Sequence, residues 1–294
     1  MQYILESEKL SVHVDSKGGE LIRILSREDK KDFLWQKDEV FWAKSAPNLF
    51  PFVGRLEGEK YICKGKTWSM GIHGFLPTME MQCEESRPDR LVMTLEDSED
   101  THKIYPYSFL FRLIYSLKSD VLEITYQVTN KDKDTMYFGI GGHPGFCIPV
   151  RGNAAFEDYY LEFPEAGSVK RVLFSEKCLL TGEQADYPLA EGKKMPLRHD
   201  LFDDDAVVLE NTGSCVYIKC PNEAAHVKVT YPQMPYIGIW HKVKAEAPYV
   251  CIEPWVTLPG MDGETTILEE KNDAVSLPSG EIYENIWTIT CTLA

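Results

Sequence analysis

Apolar residues recur at every second position through most of this chain, and that period constrains the fold more than any other feature. "FLFRLIYSLK" (109–118) and "VLEITYQVTN" (121–130) alternate apolar and polar side chains, with only Ser119 and Asp120 between them. A period of two sends one face of an extended strand into a core and the other toward water. Two such runs joined by two turn residues predict a β-hairpin. The pattern returns in "LSVHVD", "ELIRILS", "RLVMTLE", "AVVLEN", "CVYIKC", "HVKVTYP", "YIGIWH", "YVCIEPW" and "IWTITCTL", while "TMYFGIG" follows the turn "NKDKD". No stretch of helical period is long enough to cover a parallel sheet. Short, frequent strands with turn residues between them predict an all-β fold, a large antiparallel β-sandwich.

Two segments lack the alternation. "EDSEDTHK" (96–103) reads as a solvated loop, and residues 175–205, with Gly182, Pro188, Gly192 and Pro196, predict a long irregular loop. No low-complexity linker or repeat divides the chain, so residues 1–294 are expected to form a single domain. Hydrophobic residues make up 44%, enough for a full core and too many for general disorder. The net charge of -15 disfavours nucleic acid and anionic membrane, since either needs a basic face. With no basic-plus-apolar leader and no apolar run of membrane-spanning length, a cytoplasmic protein is expected. The eight cysteines are scattered without a C-x-x-C pair, several in apolar runs, and reduced thiols are expected.

Four stretches break the strand pattern in a shared way, each setting a polar side chain among glycine, proline and aromatic residues. "GIGGHPGFCIP" (139–149) holds His143 between a glycine pair and a proline. "GIHGF" (71–75) repeats the arrangement around His73. "SAPNLFPFVGRL" (45–56) ends an apolar run on Arg55, a guanidinium that either snorkels to a surface carboxylate or serves as a donor for a polar ligand. "YVCIEPWVTLPG" (249–260) carries Glu253 at the end of an apolar strand, where alternation puts it on the same face as Cys251. A carboxylate is costly to bury there unless something binds it, and partial desolvation makes it more basic. Either histidine alone reads as structural; two in matching settings point to a site. Aromatics beside imidazole and carboxylate suit a sugar, whose C–H faces stack on rings while its hydroxyls need fixed partners. Neither a P-loop nor Rossmann spacing occurs, and G-x-S-x-G and H-E-x-x-H are also missing. A metal held by His73, His143 and Glu253 is conceivable, but no local spacing indicates one. His13, His102, His199 and His226 lie in ordinary strand or loop contexts, and His241 in "GIWHK" stays ambiguous.

In order along the chain, "APNLFPFVGRL", "HGF", "GGHPGF", "LFDDDAVVL", "PYIGIWHK" and "CIEPW" resemble the aldose 1-epimerase (galactose mutarotase) family, nearest its lactose-operon-associated epimerase-like branch. The resemblance implies a β-supersandwich, a carbohydrate cleft, and interconversion of the α and β anomers of a hexose without cofactor or metal. It makes Glu253 the general base and His143 the general acid. His73 would hold the sugar near its ring oxygen, Arg55 would bind sugar, and Asp205 would grip hydroxyls, with Asp203 and Asp204 leaving that register open by a residue. The expected partner is a small sugar, a hexose or hexose phosphate, bound by a monomer or homodimer. A hexose-6-phosphate 1-epimerase and a non-catalytic carbohydrate-binding protein are the alternatives. The chain departs from related sequences at Leu76-Pro77-Thr78 after "HGF", at Cys147, and in "VTLPGMDG" after "EPW", which bears on sugar preference.

Overall fold

A computed structural model describes residues 1–293. Its two large sheets are antiparallel throughout. One has nine strands, running from Lys194–Pro196 at one edge through Ile282–Thr292, Val121–Asn130 and Phe109–Lys118 at its centre to Gln82–Arg87 at the other. The second has eight, with Leu180–Asp186 at one edge, then Lys170–Phe174, Val207–Glu210, Tyr236–Trp240 and Tyr249–Trp255, ending in the short pieces Gly141–Gly142 and Asn48–Leu49. Gly145–Cys147 pairs with Tyr249–Trp255 beside that end.

The alternating runs form the predicted hairpin, with Lys118 paired to Val121 and Ser119 taking the turn at φ 56°. Along Phe109–Lys118 the odd-numbered side chains Phe109, Phe111, Leu113, Tyr115 and Leu117 are buried. They join Ile237, Ile239, Val250 and Ile252 of the other sheet in one apolar cluster reaching from Leu5 to Cys291. Each such side chain contributes about 1.5–3 kcal/mol on leaving water, so this shared core fixes which faces of the two sheets meet. All eight cysteines are free thiols.

Both segments read as loops contain regular structure. Residues 175–205 include the strands Leu180–Asp186 and Lys194–Pro196 and a 3₁₀ turn, His199–Phe202. Leu180–Asp186 is an edge strand exposed along almost its whole length. It is held by backbone pairing to Lys170–Phe174, so its side chains carry no alternation to detect. In the acidic loop, Ser98 caps a single helical turn, Glu99–His102, by accepting from the Thr101 amide while the Thr101 hydroxyl accepts from the Ser98 amide.

Candidate active site

The short strands at the end of the eight-stranded sheet bring the singled-out residues together. Gly141 pairs with Trp255 and Gly145 with Cys251, a register that sets His143 directly opposite Glu253. The ladder opens between those pairs, and the His143 amide instead donates to the Pro47 carbonyl at 3.1 Å. On the other side of Glu253 lies Gly238, which has no side chain to cover the carboxyl. Close packing behind the turn explains the glycine before His143: a Cβ on Gly142 would sit 2.7 Å from the Trp287 ring. The turn is therefore seated against the nine-stranded sheet.

His143 Nε2 and Glu253 Oε2 are 3.2 Å apart, with His143 8% and Glu253 2% exposed. Burial pushes the Glu253 carboxyl well above its usual range, and the Asp205 carboxylate adds to the effect. Burial also holds the His143 imidazole well below its usual range, with His73 beside it acting in the same direction. This dry setting outweighs the help that a neighbouring carboxylate gives to a protonated ring. His143 Nδ1 has no hydrogen-bond partner among the described residues. Nε2 is the ring nitrogen that faces Glu253, so the two groups can share one proton across that contact.

His73 approaches His143 edge to face, with ring centroids 5.4 Å apart. Its backbone is in the left-handed region at φ 65°, strained for a non-glycine residue. Two contacts with Gly54 hold it there: the His73 amide donates to the Gly54 carbonyl at 2.9 Å, and the Gly54 amide donates to His73 Nδ1 at 3.1 Å. The proton of the neutral ring is thus on Nε2. Burial, then Arg55 and Lys44, lower the His73 pKa to about 3, so it is an uncharged donor near neutral pH.

These groups open onto a cleft with a cavity volume of about 470 Å³, lined by His73, His143, Glu253, Arg55 and Asp205 among others. Asp204 joins Asp205 on the wall, whereas Asp203 does not, and Asp205 is held at φ 79°. Trp42 stacks on the His143 ring at 4.9 Å and 26°, and Trp240 meets it edge-on at 5.7 Å. The cleft thus gathers aromatic rings, two imidazoles, a carboxyl and flanking charges around one space.

A family model described as aldose 1-epimerase matches residues 1–267. The chain belongs to the aldose 1-epimerase family. It is 30% identical over 275 residues to Protein LacX of Lactococcus lactis subsp. lactis, covering 91% of each chain. A galactose mutarotase related enzyme from Lactobacillus acidophilus superposes with a TM-score of 0.94 at 33% identity, over 99% of this chain and 97% of that one. A galactose mutarotase-like protein from Lactobacillus casei gives 0.93 at 26%, over 99% and 100%. The expected all-β sandwich is the fold of these galactose mutarotase-like proteins.

Within this epimerase-family cleft, sequence reasoning missed Lys44 and Trp42. Both line the wall just upstream of the quoted "SAPN" segment, on residues with no period and no motif. Neither Lys44 nor Arg55 makes an ion pair among the described residues. The ambiguous His241 lies outside the cleft. It is fully buried, with Nδ1 bonded to the Lys242 carbonyl and Nε2 3.0 Å from His199 Nδ1. Among the described residues no helix is long and apolar enough to cross a membrane.

Proposed function

We propose that this single-domain chain is a cytoplasmic, cofactor-independent aldose 1-epimerase that interconverts the α and β anomers of a hexose. The observation that carries the reading is the 3.2 Å contact between His143 Nε2 and Glu253 at the cleft. Anomer exchange needs the C1 hydroxyl deprotonated and the neighbouring ring oxygen protonated, so an acid and a base must stand close together. Glu253 takes the C1 hydroxyl proton while the Nε2 proton of His143 passes to the ring oxygen, and the C1–O5 bond breaks. The C1 aldehyde turns about the C1–C2 bond and is attacked on its other face by the O5 hydroxyl. That hydroxyl returns its proton to His143, and Glu253 protonates the new C1 oxygen.

Burial suits this exchange. The uncharged pair and the carboxylate–imidazolium pair differ by one proton moved across a short gap, and a sugar's hydroxyl dipoles favour the charged form. Each correctly placed acid or base is worth on the order of 10²–10⁴ in rate. His73 Nε2–H supplies a second donor near the ring oxygen, Asp205 and Arg55 hold hydroxyls, and Trp42 and Trp240 wall the sugar in beside His143. The partner is a small sugar, without nucleic acid or membrane, bound by a monomer or homodimer.

A second reading, a hexose 6-phosphate as substrate, draws support from Lys44 and Arg55, two cations on the cleft wall. Polarimetry on freshly dissolved α-glucose, α-galactose and their 6-phosphates tests both. Faster loss of rotation with the free sugars supports the first reading, and acceleration confined to the phosphates supports the second. Sugar binding with no acceleration at all indicates a non-catalytic carbohydrate-binding protein.

A further inference from the structure

Behind the acid–base pair is a side chain that the proposed reaction leaves unused. Cys251 precedes Glu253 by two positions on one strand, so its thiol shares the carboxyl's face. It is fully buried against Trp35, Ala247 and Tyr249. Its Sγ, a ring nitrogen of His143 and a carboxylate oxygen of Glu253 all lie within 4.8 Å of one another. A buried cysteine is often just a small apolar residue, which explains its burial but not this convergence.

We propose that His143, Glu253 and Cys251 form an inhibitory site for a thiophilic divalent cation, with Zn²⁺ the best match. Nitrogen, sulfur and carboxylate donors suit Zn²⁺, whereas Mg²⁺ and Ca²⁺ take oxygen ligands. Zn–N, Zn–O and Zn–S bonds of about 2.0–2.3 Å put donor atoms of a tetrahedral ion about 3.3–3.7 Å apart. His143 and Glu253 already approach that spacing, and the sulfur needs to move in by ~1 Å at most. One divalent ion, one thiolate, one carboxylate and one neutral imidazole sum to zero charge, which removes the penalty for burying the complex. His143 and Glu253 line the cleft, which gives an ion its entry path, while Cys251 lies behind them and closes the site from the core side. The unpartnered second nitrogen of His143 lacks the outer hydrogen bond that metal-bound histidines usually have, a loss of about 10–100-fold in affinity. The site is therefore a reversible inhibitory one and not a resident metal centre. Binding stands apart from the proposed function; the inhibition rests on it, because the ion would occupy both acid and base.

The test uses the metal-free full chain with Cys251→Ser and Cys251→Ala, two variants that guard against a misfolded one. Calorimetry follows ZnCl₂, absorption follows Co²⁺, and glucose mutarotation is measured with and without Zn²⁺. The expected result is one ion bound by the wild type, with tetrahedral Co²⁺ bands and a thiolate-to-cobalt band. Both variants lose that band, bind Zn²⁺ at least tenfold more weakly, and keep their basal rate with reduced Zn²⁺ inhibition. Equal Zn²⁺ binding by wild type and variants, or Co²⁺ spectra without a thiolate band in a protein that mutarotates, overturns the site and leaves the functional reading intact. A Cys251-dependent thiolate band in a protein that never mutarotates upholds the site and overturns that reading.

Discussion

His143 and Glu253 face each other across one β-ladder, 3.2 Å apart, although 110 residues separate them in the chain. The relationship is a property of register. Gly141–Trp255 and Gly145–Cys251 are the flanking pairs, and the histidine and glutamate occupy the position between them. A shift of one residue would send one of them to the opposite face of the sheet.

The buried carboxyl costs stability. The Glu253 pKa is raised in the folded protein above its ordinary 4.5. As pH rises past about 4.5, the unfolded chain releases a proton that the folded chain retains, so stability falls until the folded pKa is passed. Glu253→Gln removes this loss. Its melting temperature should match the wild type near pH 4 and exceed it at pH 8. Thermal unfolding at the two pH values checks the difference.

Asp205 raises the Glu253 pKa through its negative charge. Asp205→Asn should therefore let the carboxyl ionise at lower pH and move the pH–rate profile of the coupled pair toward acid. Loss of a hydroxyl ligand should raise KM as well. A pH series of kcat/KM reads the shift, and an unchanged profile would show that Asp205 does not act on Glu253.

His73 is neutral down to about pH 3, and because its Nδ1 accepts from the Gly54 amide its proton is on Nε2. His73→Leu should lower kcat by about 10²-fold, the usual consequence of losing one preorganised donor. The shape of the pH profile between pH 5 and 9 should stay as it was, since His73 does not titrate there. A changed profile would mean that it carries a proton in the reaction.

Gly142 fixes the turn to the core. A methyl group there would meet the Trp287 ring at 2.7 Å. Gly142→Ala should destabilise the protein by about 1–3 kcal/mol through overpacking and lower activity by displacing His143. Denaturant unfolding and mutarotation assays on the same preparation measure both.

Much of the architecture could be read from the chain because each central strand buries one face, and the alternation in "FLFRLIYSLK" records it directly. Leu180–Asp186 escaped because an exposed edge strand uses only its backbone. His143, His73 and Glu253 stood out locally, as polar groups in glycine, proline or apolar settings that a purely structural role explains poorly. Their convergence could not be read, since pairing between Gly141–Cys147 and Tyr249–Trp255 depends on long-range register. Lys44 and Trp42 carried no signal because their places on the cleft wall come from loop geometry and not from any periodic element.

Saturation-transfer NMR between the anomeric protons of glucose and galactose tests the acid–base pair most directly, comparing wild type with Glu253→Gln and His143→Gln. The expected outcome is rapid exchange with the wild type and a rate about 10²–10⁴-fold lower in each variant, with both variants folded. Wild-type exchange by folded Glu253→Gln protein would contradict the account.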